Sequence, residues 1–97
     1  MINPQYLNSF LIDPQAKDEF WGVVQDCLIE LHNLTSFEAI QRSRDLRRRI
    51  EAAPAGLSSE MLYHADPFDV ACDIARNPLD IAIYRARYDT ILSRHHW

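Results

Sequence analysis

Glycine is nearly absent from this chain: only Gly22 and Gly56 occur in 97 residues. A loop that cradles phosphates needs several glycines close together, so Walker-type and dinucleotide-binding motifs are excluded. G-x-S-x-G, C-x-x-C and H-E-x-x-H are also missing, and with them most recognisable enzyme signatures. Cysteine is scarce. Cys27 and Cys72 stand alone, each in an apolar-periodic segment, and are predicted as buried thiols rather than a disulfide. Long hydrophobic runs are absent as well. A stretch such as Phe20-Trp21-Gly22-Val23-Val24 is far too short to span a bilayer. The first residues, MINPQYLNSFLIDPQ, show no basic region before an apolar run, so they do not read as a signal peptide. A cytoplasmic protein without membrane contact is expected.

What is present fits a folded helical chain. Two Trp, four Phe and four Tyr supply core bulk, which argues against compositional disorder. A formal net charge of −4 favours solubility and opposes wholesale wrapping of nucleic acid. At this length a single domain over residues 1–97 is expected.

The prolines punctuate the chain. Four of the five follow Asn or Asp, at Asn3-Pro4, Asp13-Pro14, Asp66-Pro67 and Asn77-Pro78. An Asn or Asp side chain accepts an orphan N–H of a first helical turn, and proline suits the next position because it has no N–H to leave unpaired. Each pair therefore predicts a helix start. Asp69 and Asp80 would then occupy the third helical position, facing the positive end of the helix dipole. Helices are predicted over about 4–11, 14–32, 36–52, 67–76 and 78–94. In the second, Phe20, Val24, Cys27, Leu28 and Leu31 repeat at helical spacing, with Trp21 beside them. Thr35 and Glu38 form a capping-box pattern ahead of the third. Ala53-Pro54-Ala55-Gly56 ends it. Residues 57–65 read as a helical turn or an irregular connector. In the last helix Ile81, Tyr84, Tyr88, Ile91 and Leu92 lie on one stripe. The expected fold is all-α: a compact small domain of four to five helices in orthogonal or bundle-like packing.

Three polar groups are candidates for chemistry or binding. The first is His64, Asp66, Asp69, Cys72 and Asp73. Asp69 and Asp73 share a helix face. With His64 they are suited to a divalent metal, and Cys72 near a histidine is a candidate nucleophile. The plainer reading is that Asp66 caps, Asp69 complements the dipole, Cys72 packs and Asp73 faces water.

The second group is QRSRDLRRRIE, residues 41–51, with five Arg against Asp45 and Glu51. That makes +3 in a chain of −4, leaving −7 elsewhere. On a helical wheel Arg44, Arg47 and Arg48 share one side, and Ala39, Leu46, Ile50 and Ala53 line another. Glu38–Arg42 and Asp45–Arg49 are acid-to-base pairs in the favourable orientation. The stripe either is solvated and paired with acids within the fold, or meets an acidic protein or phosphates. The wheel shows no aromatic interleaved with Arg44, Arg47 and Arg48, which speaks against nucleic acid.

The third is the end, Arg94-His95-His96-Trp97, where Trp97 either folds back or anchors a partner. Adjacent His side chains point to different sides of a helix, which makes a poor metal pair.

The sequence therefore predicts a non-enzymatic regulator or adaptor that binds another protein, an antitoxin- or immunity-type inhibitor being one special case. Arg44, Arg47, Arg48, Arg94 and Trp97 are its partner-binding candidates. No cofactor, metal or catalytic residue is expected, and a homodimer is a further option. The alternatives are a nucleic-acid-binding regulator using the 41–49 arginines, and a metal-dependent or thiol enzyme around His64, Asp69, Cys72 and Asp73.

Overall fold

A computed structural model describes residues 14–52 and 62–95. Among them are four helices and no strand: α1 (Pro14–Glu30), α2 (Ser36–Glu51), α3 (Pro67–Ala75) and α4 (Ile81–Arg94). The all-α expectation holds. The helix predicted over 4–11, the Asp13 cap and most of the 53–65 connector lie outside the described residues. No helix among the described residues is long and apolar enough to cross a membrane.

α1 is the axle. Phe20, Trp21, Val23, Val24, Cys27 and Leu28 are all buried along it. That arc is wider than one stripe because α2, α3 and α4 all pack against α1. The helix closes at a turn where Leu31 and His32 donate to the Cys27 carbonyl at 2.9 and 3.3 Å. Asn33 then takes a left-handed backbone (φ 60°), which its short polar side chain tolerates.

α2 opens as predicted. Thr35 Oγ1 accepts from the Glu38 N–H at 3.1 Å and donates to Glu38 Oε1 at 3.3 Å. Its inner face is small. Ala39 and Ser43 are buried, with Leu46 and Ile50 half-buried beside them. Ser43 is satisfied, since Gln25 Nε2 donates to its Oγ at 3.1 Å and it donates to the Ile40 carbonyl at 3.1 Å.

A turn at 62–65 sends Tyr63 into the core. There Trp21 Nε1 donates to Tyr63 Oη at 3.0 Å, and Tyr63 Oη donates to Glu51 Oε1 at 3.2 Å. Phe20 meets both rings edge-on, at 5.4 and 5.2 Å between centroids.

The two Asx-Pro-x-Asp segments behave differently. Asp66 caps α3, its Oδ1 accepting the Phe68 N–H at 3.0 Å, with Pro67 opening the helix and Asp69 in the first turn. Asn77-Pro78 does not start α4. The helix begins three residues later, capped by Asp80, whose Oδ1 accepts the Ala82 N–H at 3.0 Å. The cause is upstream. The Asn77 N–H closes α3 by donating to the Cys72 carbonyl at 3.1 Å, and the Arg76 N–H donates to Asp73 at 3.2 Å. Such a closure needs a left-handed residue. Arg76 supplies it (φ 53°, ψ 41°), at about 1 kcal/mol for a residue with a Cβ. Asn77 therefore ends one helix instead of beginning the next.

Candidate functional site

Positive charge at neutral pH is carried by nine Arg and one Lys, and the arginines of α4 and α2 are placed differently. Those of α4 are engaged within the fold. Arg85 pairs with Asp89 at 2.7 Å. Arg87 donates to the carbonyl of Glu30. Arg94 pairs with Glu30 and, at 3.6 Å, with Asp26. His95, next in the chain, sets Nδ1 3.0 Å from Glu19 and Nε2 2.7 Å from Asp26. The contacts of Arg87, Arg94 and His95 tie α4 to the end and acidic side of α1.

The arginines of α2 are not equivalent. Arg47 turns inward, pairing with Asp18 and Glu51 at 3.0 Å each. Burial works against its charge, but the hydrogen bonds to Glu51 and Asp18 outweigh it and hold the guanidinium firmly protonated. The predicted side of Arg44, Arg47 and Arg48 is thus split, with Arg47 bracing α1 against α2. Arg44 has no ion-pair partner among the described residues. Arg48 meets only Asp45, at 3.8 Å and largely in solvent. The expected Glu38–Arg42 pair is present at 3.6 Å. The expected Asp45–Arg49 pair is replaced: Arg49 Nε donates to the Asp45 carbonyl at 3.4 Å, leaving the Asp45 carboxylate to Arg48.

Beside Arg44 and Arg48 the outer face of α2 is apolar. Phe37 is 72% exposed and Ile40 37%. Together with Gln41 and Asp45 these four line one shallow groove. An aromatic does therefore share the arginine face: none is interleaved with Arg44, Arg47 and Arg48, as the wheel shows, but Phe37 lies two turns before Arg44 on the same side. The spacing Phe37, Gln41, Arg44, Arg48 carried that signal, being one continuous helical stripe.

The residues proposed for chemistry do not assemble. His64 is exposed on the 62–65 turn, Asp69 faces solvent, and Asp73 lines a cleft toward α2. No group of three His, Cys, Asp or Glu is placed to hold a metal among the described residues. Cys27 and Cys72 are free, buried thiols. Burial, reinforced by the nearby Asp26, pushes the Cys27 thiol up to about 12. Burial also raises Cys72, against the hydrogen bond it receives from the Leu79 backbone. Neither is a thiolate at neutral pH. Trp97 lies outside the described residues. Compared with protein families, with curated proteins and with solved structures, the chain matches none.

Proposed function

We propose that this chain is a non-enzymatic protein-binding module of the cytoplasm, a small regulator or adaptor that docks an acidic partner on the outer face of α2. An antitoxin- or immunity-type inhibitor is one form such a protein takes. The observation that carries the reading is the contrast between the arginines. Arg47, Arg85, Arg87 and Arg94 each hold close partners within the chain, whereas Arg44 and Arg48 stand beside exposed Phe37 and Ile40. An aromatic anchor flanked by arginines is the composition of an interface hot spot. Opposite charge on the partner speeds encounter and selects against wrong partners. One helix face is a small footprint, which suits a transient complex.

The test is native pull-down with the wild type, Phe37→Ala and the Arg44→Glu/Arg48→Glu double variant, at low and high salt. A partner retained by the wild type and lost by both variants, with unchanged helical circular dichroism, supports the reading. Phe37→Ala should weaken the complex roughly 30-fold, the effect of a ~2 kcal/mol hot spot. Equal capture by all three chains sinks it.

Phe37 beside Arg44 and Arg48 also favours a second reading, binding of nucleic acid by base stacking and phosphate contact. Asp45 lies inside the same groove and opposes a continuous phosphate track. Co-purified nucleic acid released steeply by salt, with no protein in the complex, would put this reading first.

A further inference from the structure

We propose that the cleft between α2 and the end of α3 is a binding site for a carboxylate on a short aliphatic stem, gripped by Arg76 together with Arg42 and Arg49.

The starting point is Arg76. Only two non-glycine residues among those described have positive φ, Asn33 and Arg76. Asn33 is a residue type that tolerates this backbone; Arg76 is not. The fold gains nothing visible from the arginine, since its exposed side chain has no ion-pair or hydrogen-bond partner among the described residues. Backbone strain without an internal return points to a role outward.

The surroundings supply that role. Arg76 lines a cleft of about 580 Å³ with Arg42, Asp45, Leu46, Arg49, Asp73 and Ile74. Arg42 and Arg49 are seven apart, so they reach the cleft from one side of α2, two turns from each other. Their internal contacts are slight: Arg42 meets Glu38 at 3.6 Å, and Arg49 gives Nε to a carbonyl at 3.4 Å. Most of the three guanidinium forks are left for a ligand. Three Arg against Asp45 and Asp73 leave +1 in the cleft. That balances one carboxylate and under-neutralises a phosphate dianion. Leu46 and Ile74 provide apolar wall for the stem. The carboxylate belongs either to an acidic side chain of a partner protein or to one end of a free dicarboxylate, whose other end stays in water. The site shares only Asp45 with the outer groove of α2, so it stands or falls separately from the docking reading.

The test follows the arginine Nε–Hε signals of the full chain by NMR during titration with three probes: glutarate, a capped tetraglutamate peptide and inorganic phosphate. Arg42, Arg49 and Arg76 should shift together and, for each of glutarate and the peptide, saturate with a single Kd. Phosphate should bind at least threefold more weakly. Tighter binding of the peptide assigns the carboxylate to a protein, and tighter binding of glutarate to a small molecule. Arg76→Gly should bind at least tenfold more weakly while its Tm stays level or rises, by up to roughly 5 °C. Arg44→Gln/Arg48→Gln should keep the Kd within about twofold, which separates failure here from failure of the α2 outer face. Three results overturn the proposal: no saturation, preference for phosphate, or an Arg76→Gly chain that binds normally or melts several degrees lower.

Discussion

His95 fills the notch that Gly22 leaves on α1: a Cβ placed on Gly22 would stand 3.0 Å from His95 Cε1. With no side chain beneath it, the imidazole lies along the helix surface. It reaches Glu19 one turn back and Asp26 one turn on, at 3.0 and 2.7 Å. A neutral imidazole has one N–H and one lone pair, so it satisfies only one of two carboxylates; the imidazolium satisfies both. Arg94 is the other cation here, 3.6 Å from the same Asp26 oxygen that His95 meets.

The pH dependence follows from that geometry. Partial burial disfavours the His95 charge, but the hydrogen bonds to Asp26 and Glu19 outweigh it, and the folded pKa rises above 6.5. A raised histidine contributes stability that is fully present below its unfolded pKa and is lost as pH climbs through the folded one. Urea denaturation across pH 5.5–8.5 should therefore show a His95-dependent decline on the alkaline side, absent in His95→Gln. Gly22→Ala should lower the His95 pKa measured by NMR, because the methyl group lifts the ring from its seat. An unchanged pKa in that variant would show that the notch does not position the ring.

His32 works in the opposite sense. Both its ring nitrogens are shielded from water without a hydrogen-bond partner among the described residues, and burial lowers its pKa below 6.5. The unfolded chain takes this proton first, so stability present above pH 6.5 is lost as pH falls through the folded pKa. His32→Leu should raise stability by about 1 kcal/mol at pH 7, the cost of an unpaired polar group. The gain should be larger at pH 5. Equal gains at the two values would mean that His32 does not titrate differently in the two states.

Asp66 serves two donors with one oxygen. Oδ1 accepts the Phe68 N–H that starts α3 and the hydroxyl of buried Tyr88 from α4. Burial and this bond push the Tyr88 pKa up, so the hydroxyl stays a donor throughout the working pH range. Tyr88→Phe should cost about 1 kcal/mol, because the helix cap survives. Asp66→Ala removes the cap and also strands the Tyr88 hydroxyl, and should cost about 2–4 kcal/mol. The double variant should be no worse than Asp66→Ala alone. Additive losses in urea titrations would refute the shared oxygen.

Local signals were legible in the sequence and long-range ones were not. The burial of Phe20, Val24, Cys27 and Leu28 follows from spacing alone, as does the Thr35 cap. Asn77-Pro78 misled because the same dipeptide that begins a helix is also compatible with ending one. The deciding bond, Asn77 N–H to the Cys72 carbonyl, belongs to the helix before it. Arg47 was grouped with Arg44 and Arg48 because a wheel shows faces and not neighbours; Asp18 on α1 decides its direction. The Glu19–His95–Asp26 contact was out of reach, since 76 residues separate His95 from Glu19. The exposed Phe37 and the strained Arg76 left only weak marks, one continuing a stripe and the other standing where glycine is usual.

The arrangement of helices around α1 has a consequence for motion. Among the described residues α1 packs extensively on each of the other three, while those three meet one another only slightly. Opening α2 or α4 would strip one side of the molecule and leave the remainder in place; releasing α1 would leave nothing to assemble on. Amide protons of Val23, Val24, Cys27 and Leu28 should therefore exchange with solvent only through global unfolding. Those of α4 should exchange through a cheaper local opening, and each cation at its end that lets go of α1 should hasten it.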